Sequence, residues 1–177
     1  MVQLKYKIAT IGSHSALQIL KGAHDEGFKT IAVCKKGSER PYKMFNVADE
    51  IISINSYKDF PNVQDNLMKK SAIVIPHGSF VTYMGYEEVE KLKILYYGNK
   101  KILKWESDRF LERQWLKNAG LKVPLLFKSP KDIDRLVIVK FMGAEGGRGY
   151  FLAKDENDFN KKIMPYKLRK YVIQEYI

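Results

Sequence analysis

The stretch that decides the fold is LVIVKFMGAEGGRGYFL, residues 136–152. From Leu136 to Lys140 it is apolar and β-branched, which predicts a strand ending on a cation. Gly143, Gly146, Gly147 and Gly149 then crowd around Arg148, predicting a turn whose backbone can lie close to something else. A second apolar run follows at once. Strand, basic glycine loop and strand together read as a hairpin lid over an anion. Backbone N–H groups and Arg148 would face phosphate oxygens, and Lys140 would add a point charge from the strand. An ordinary hairpin with a solvated arginine fits the same pattern, so the rest of the chain must discriminate.

Upstream, short apolar runs alternate with helical patterns. Residues 8–11 read as a strand and 15–26 as a helix with Ala16, Leu17, Ile19, Leu20 and Ala23 on one face, closed by Gly27. Strands follow at 30–33, 50–54, 72–75 and 94–97, with helical segments at 42–45, within 57–70 and at 86–92. Such alternation means a parallel sheet with helices on both faces. After Gly98 the pattern changes. Residues 102–119 read as one long helix containing Trp105 and Trp115, and Pro124 and Pro130 punctuate a connector. The lid hairpin, a helix at 156–163 and a strand at 171–177 complete an antiparallel α+β unit. The expected domains are residues 1–98, a helical connector 99–122, and 123–177. The sequence stops at Ile177 on an apparent strand, so the expectation is a chain incomplete relative to a larger ancestor.

The 177 residues carry a formal net charge of +11. No apolar run approaches the ~18 residues of a membrane span, and the first residues read as a strand rather than a signal peptide. Cys34 is the single cysteine and lies in the apolar run 30–34, which predicts a buried, inert thiol in a reducing, cytoplasmic compartment. Lysines are spread along the chain without a nucleic-acid motif, so nucleic acid and membrane are not expected partners.

Two loops carry candidate chemistry. The first strand runs into Gly12-Ser13-His14-Ser15, where a helix starts that Ser13 or Ser15 can cap, leaving N–H groups aimed at an anion. The fourth runs into Pro76-His77-Gly78-Ser79-Phe80. In a doubly wound sheet ordered 3-2-1-4, these strand ends are neighbours at the topological switch point, where ligands bind. The plain alternative is that the serines are caps and the histidines satisfy loop carbonyls. No pair has zinc spacing and no Ser/His/Asp order suggests a triad. No metal site and no catalytic residue are assigned within the chain.

TIGSHSALQILKGAHDEGF (10–28), IPHGSF (75–80), GNKKILKWESDR (98–109) and the hairpin sequence, in that order, resemble the archaeal formate-dependent ligase of purine biosynthesis, an ATP-grasp enzyme. The resemblance implies an α/β fold: a Rossmann-like, pre-ATP-grasp parallel-sheet domain followed by a partial α+β ATP-grasp subdomain. It implies formylation of 5-aminoimidazole-4-carboxamide ribonucleotide with ATP and formate, through formyl phosphate, on the route to IMP. His14, Ser15 and Ser79 would contact the ribonucleotide. Lys140 would bind the ATP phosphates under the loop Gly146-Gly147-Arg148-Gly149. Gln174-Glu175-Tyr176-Ile177 resembles the hinge strand, where Glu175 and the backbone up to Ile177 hold adenine. The family's magnesium ligands lie beyond this hinge, so magnesium is expected to be held outside the chain. Asp155, Glu156 and Asp158 read instead as a helix N-terminus. The chain is then expected to be a fragment of the ligase, a split subunit completed by a partner chain, or a nucleotide-binding paralogue without catalysis. Its expected partners are the ribonucleotide and formate, with a second copy or a complementing chain. Of the 98–109 segment, Trp105 is expected to pack its helix and Glu106 to pair with Arg109 at (i, i+3), with no catalytic role; a reach of Lys104 toward the nucleotide is the lesser alternative.

Overall fold

The computed structural model describes residues 5–141, 149–166 and 168–177. The chain forms two compact units, Met1–Leu103 and Lys104–Ile177.

The first unit is a five-stranded parallel sheet. Its strands are β1 (Lys7–Ile11), β2 (Lys29–Lys35), β3 (Glu50–Ile54), β4 (Ala72–Val74) and β5 (Leu95–Tyr96), in the order β3-β2-β1-β4-β5. The helices are α1 (Ala16–Asp25), α2 (Arg40–Met44), α3 (Phe60–Lys69), α4 (Ser79–Met84) and α5 (Tyr86–Lys91). A parallel strand covered on both faces needs apolar residues at every position rather than at alternate ones, and β2 meets that need. Its Ile31 and Val33 pack with Phe60, Leu67, Phe80 and Val89 on one side. Its Ala32 and Cys34 pack with Ala16, Leu20 and Tyr42 on the other. The 3-2-1-4 order expected from the alternation is present, with β5 added beside β4. The chain leaves β1 in one direction and returns to β4 in the other, so the switch point lies between them. No helix among the described residues is long and apolar enough to cross a membrane.

The second unit begins with a correction. In place of one helix over 102–119 there are two, α6 (Ile102–Ser107) and α7 (Arg109–Asn118). Between them Asp108 is extended, at φ −110° and ψ 113°, and its carboxylate accepts from the N–H groups of Phe110 and Leu111. An aspartate that caps a new helix interrupts the old one. A sheet follows, made of β6 (Leu126–Phe127), β7 (Val137–Phe141), β8 (Tyr150–Ala153) and β9 (Tyr171–Glu175) in the order β6-β9-β7-β8, all antiparallel. The two-residue β6 has no signature of its own and exists by pairing Phe127 with Ile173. One face of the sheet packs Val137, Val139, Ala153 and Ile173 against Phe159 of α8 (Glu156–Ile163). Asp155 caps α8 by accepting from the N–H of Asp158, as the acidic run predicts.

Candidate functional site

The first unit gathers polar groups at the carboxyl end of its sheet. Ile75 N donates to Ala9 O at 2.9 Å and Thr10 Oγ1 donates to Ile75 O at 2.7 Å. These two bonds end β1 and β4 at the same level, so residues 12–15 face residues 76–79. The His14 and His77 ring centroids are 6.4 Å apart, edge to face. The two loops expected to share one edge do share it.

The turn after β1 is held from several sides. Gly12 N donates to Val33 O at 2.8 Å, and Tyr57 Oη donates to Gly12 O at 2.6 Å. A Cβ on Gly12 would lie 2.6 Å from Cys34 Sγ and 3.0 Å from the Tyr42 ring, so only glycine fits this close approach. His14 is left-handed, at φ 40°, an unusual state for a residue with a side chain. Neither serine caps α1 with its side chain. Ser15 holds the N-cap position without a side-chain bond, and the Ser13 hydroxyl shares a 2.6 Å hydrogen bond with Tyr83 Oη. The capping expectation is thereby corrected: Ser13 is drawn to a tyrosine far along the chain, and Ser15 stays exposed to solvent, as does His14.

His77 is neutral by construction. Its Nε2–H donates to Ile11 O at 2.9 Å, so Nδ1 accepts from the Ser79 N–H at 3.3 Å. Burial, then the nearby His14, pull its pKa below the usual histidine value, against the raising effect of the Ile11 bond. Ser79 itself is only 4% exposed. Cys34 is fully buried, and burial pushes its thiol up to about 12, so it is no nucleophile.

In the second unit strand alternation sets the site. Val137 and Val139 face the core, which turns Lys140 to the opposite face of the sheet. There Lys140, Val172, Gln174 and Leu126 line a cavity of about 220 Å³ closed by Arg109 and Arg113 of α7. Arg109 Nε also donates to Phe141 O at 3.3 Å. Among the described residues Arg109 forms no ion pair with Glu106, because the break at Asp108 removes the shared helical face. Glu175 and Ile177 line a neighbouring cavity of about 520 Å³ with Lys117, Leu121 and Pro124. The Glu175 carboxylate accepts from Leu125 N at 3.1 Å and from Arg135 Nη1 at 3.4 Å. Gly149 O accepts from Phe141 N at 2.8 Å, closing the start of the hairpin. Gly146, Gly147 and Arg148 lie outside the described residues. No group of three or more His, Cys, Asp or Glu able to hold a metal occurs among the described residues.

Sequence reading missed Tyr57, Tyr83 and Arg113. The tyrosines meet the β1 turn from 45 and 70 residues away, without a local signal. Arg113 could have been found, since it lies one helical turn beyond Arg109.

The profile of a family described as a protein of unknown function, DUF1246, matches residues 8–127. The chain belongs to that family. It is also 52% identical over 158 residues to the 5-formaminoimidazole-4-carboxamide-1-(beta)-D-ribofuranosyl 5'-monophosphate synthetase of Methanopyrus kandleri, a match covering 88% of this chain and 44% of the relative. With the Pyrococcus abyssi protein of the same name it is 51% identical over 188 residues, covering 100% of this chain and 53% of the relative. The resemblance carried by the four motifs thus extends along the sequence. The chain spans about half the length of the curated relatives it matches. Among solved structures, it is similar to an IMP biosynthesis protein, PurP, from Thermococcus kodakaraensis, with a TM-score of 0.71, 29% identity, and coverage of 96% of this chain and 50% of that one. The N5-carboxyaminoimidazole synthetase of Staphylococcus aureus, solved with ADP, matches with a TM-score of 0.76 at 21% identity, covering 99% of this chain and 48% of that one. The α/β architecture expected from the sequence is the architecture of these structures.

Proposed function

We propose that this DUF1246 chain forms the ribonucleotide-binding domain and part of the ATP-binding domain of a cytoplasmic ligase that formylates 5-aminoimidazole-4-carboxamide ribonucleotide with ATP and formate. One observation carries the reading: identity near one half, over 88% of the chain or more, to relatives named as that synthetase. The geometry agrees with it. The first unit offers a turn with exposed His14 and Ser15, facing the 76–79 loop at the switch point of a doubly wound sheet. Imidazole and hydroxyl groups at a helix start suit a phosphorylated, polar heterocycle.

The second unit offers a cavity in which part of ATP would sit. Val172, Leu126 and Val123 give it apolar walls, Lys140, Arg109 and Arg113 give it cations, and Glu112 adds one carboxylate. A flat apolar base beside clustered cations is the chemistry this donor set accepts. Lys140 acts as a point charge on the sheet, and the two arginines offer forked donors to phosphate oxygens. ATP, when bound, supplies the phosphoryl group that activates formate for attack by the amine. Glu175 and the backbone up to Ile177 would border the adenine, and the hairpin from Gly146 to Gly149 would cover the phosphates. Magnesium would be held by carboxylates supplied from outside this chain, consistent with relatives about twice its length.

The test is thermal unfolding of the chain with millimolar 5-aminoimidazole-4-carboxamide ribonucleotide. The expected result is a raised melting temperature, abolished by His14→Ala. An unchanged melting temperature of the wild-type chain overturns the reading.

A further inference from the structure

We propose that Tyr83 is a positioning residue for ribonucleotide binding, acting through the hydroxyl of Ser13. The inference rests on the reading of the β1 turn as the ribonucleotide site.

Ser13 and Tyr83 each bring one hydroxyl proton to a contact 2.6 Å long that uses one of them. The pair therefore keeps its second proton for another acceptor, and when Tyr83 donates, that proton is Ser13's, on the turn that also carries His14. A free serine hydroxyl samples several rotamers. One bound to a tyrosine is already oriented, so a ligand does not have to order it. Tyr83 is itself fixed. Its ring stacks on that of Tyr57, with centroids 4.5 Å apart and planes 25° from parallel. Tyr57 does a different task, since its own proton goes to the carbonyl of Gly12. One tyrosine thus holds the backbone of the turn, and the other holds its first side chain. Their elements come from opposite sides of β1, after β3 and after β4. The left-handed φ of His14 falls immediately after these two anchors.

The experiment is a double-mutant cycle read by calorimetric titration of the chain with 5-aminoimidazole-4-carboxamide ribonucleotide. Tyr83→Phe keeps the ring and its stack and removes only the oxygen. It is expected to weaken binding about 3- to 10-fold, with the melting temperature lowered by no more than the loss of one part-buried hydrogen bond. Ser13→Ala is expected to lose a similar factor, and the double variant no more than the larger single loss, because the two groups act as one. Affinity equal to wild type in Tyr83→Phe overturns the proposal. So do losses that multiply in the double variant, or a lowered melting temperature without a change in affinity, which describe a merely structural hydroxyl. A wild-type chain that binds no ribonucleotide overturns the reading of the site and this proposal with it, whereas wild-type binding with an unaffected Tyr83→Phe overturns the tyrosine's role alone.

Discussion

His77 shows how a loop histidine becomes part of the scaffold. Both ring nitrogens are used, one donating to Ile11 O and one accepting from Ser79 N–H. A proton on Nδ1 would set two donors against each other. Burial, with His14 nearby, holds the folded pKa below the ordinary value of 6.5. The unfolded chain then binds more protons than the folded one in the window below that value. The stabilisation is complete above pH 6.5 and is lost as pH falls through the folded pKa. Urea midpoints should therefore fall from pH 7 toward pH 5, with a shallower slope in His77→Gln. At Gly12 the constraint is space. Gly12→Ala would place its methyl against the buried Cys34 sulfur and the Tyr42 ring. It should cost about 1–3 kcal/mol in chemical denaturation, as overpacking does. The penalty should shrink in a Cys34→Ala background, where the sulfur is gone.

The elements obey local rules until a neighbour overrules them. α8 starts and stops where its acidic first turn and lysine-rich last turn place it. The stretch 102–119 does not behave as one helix, although its composition favours one, because Asp108 caps a second helix within it. Asp108→Ala should destabilise the second unit by about 1 kcal/mol, seen as a lowered denaturation midpoint. β6 shows the converse: two residues become a strand only because β9 presents a free edge to them. Lys140 owes its orientation to alternation along β7, in which Val137 and Val139 occupy the core positions.

Across the whole molecule, the two units carry separate recognition tasks in the proposed ligase. The first unit holds the histidine and serine loops, and the second holds Lys140 with Arg109 and Arg113 around one cavity. Lys140→Met should weaken binding of a fluorescent ATP analogue about tenfold or more, the usual loss when a charged hydrogen bond to a phosphate is removed. It should leave ribonucleotide binding to the first unit unchanged, measured by titration on the same variant.

Residue order was enough to specify the strand–helix alternation, the parallel order 3-2-1-4, the antiparallel hairpin and the likeness to the purine ligases. Those arise from side-chain periodicity and from short motifs, which are local properties. Residue order also brought His14 and His77 to one edge, because strand order alone makes those loops neighbours. The fate of the hydroxyls and cations around them was settled in three dimensions. Ser13 looked like a helix cap and is instead bound to Tyr83, 70 residues away. Arg109 looked like half of a helical ion pair and instead lines the cavity with Lys140. Each such group had a plausible neighbour in the sequence and a different one in space. The choice between them rests on packing across the sheets, and no local pattern records it.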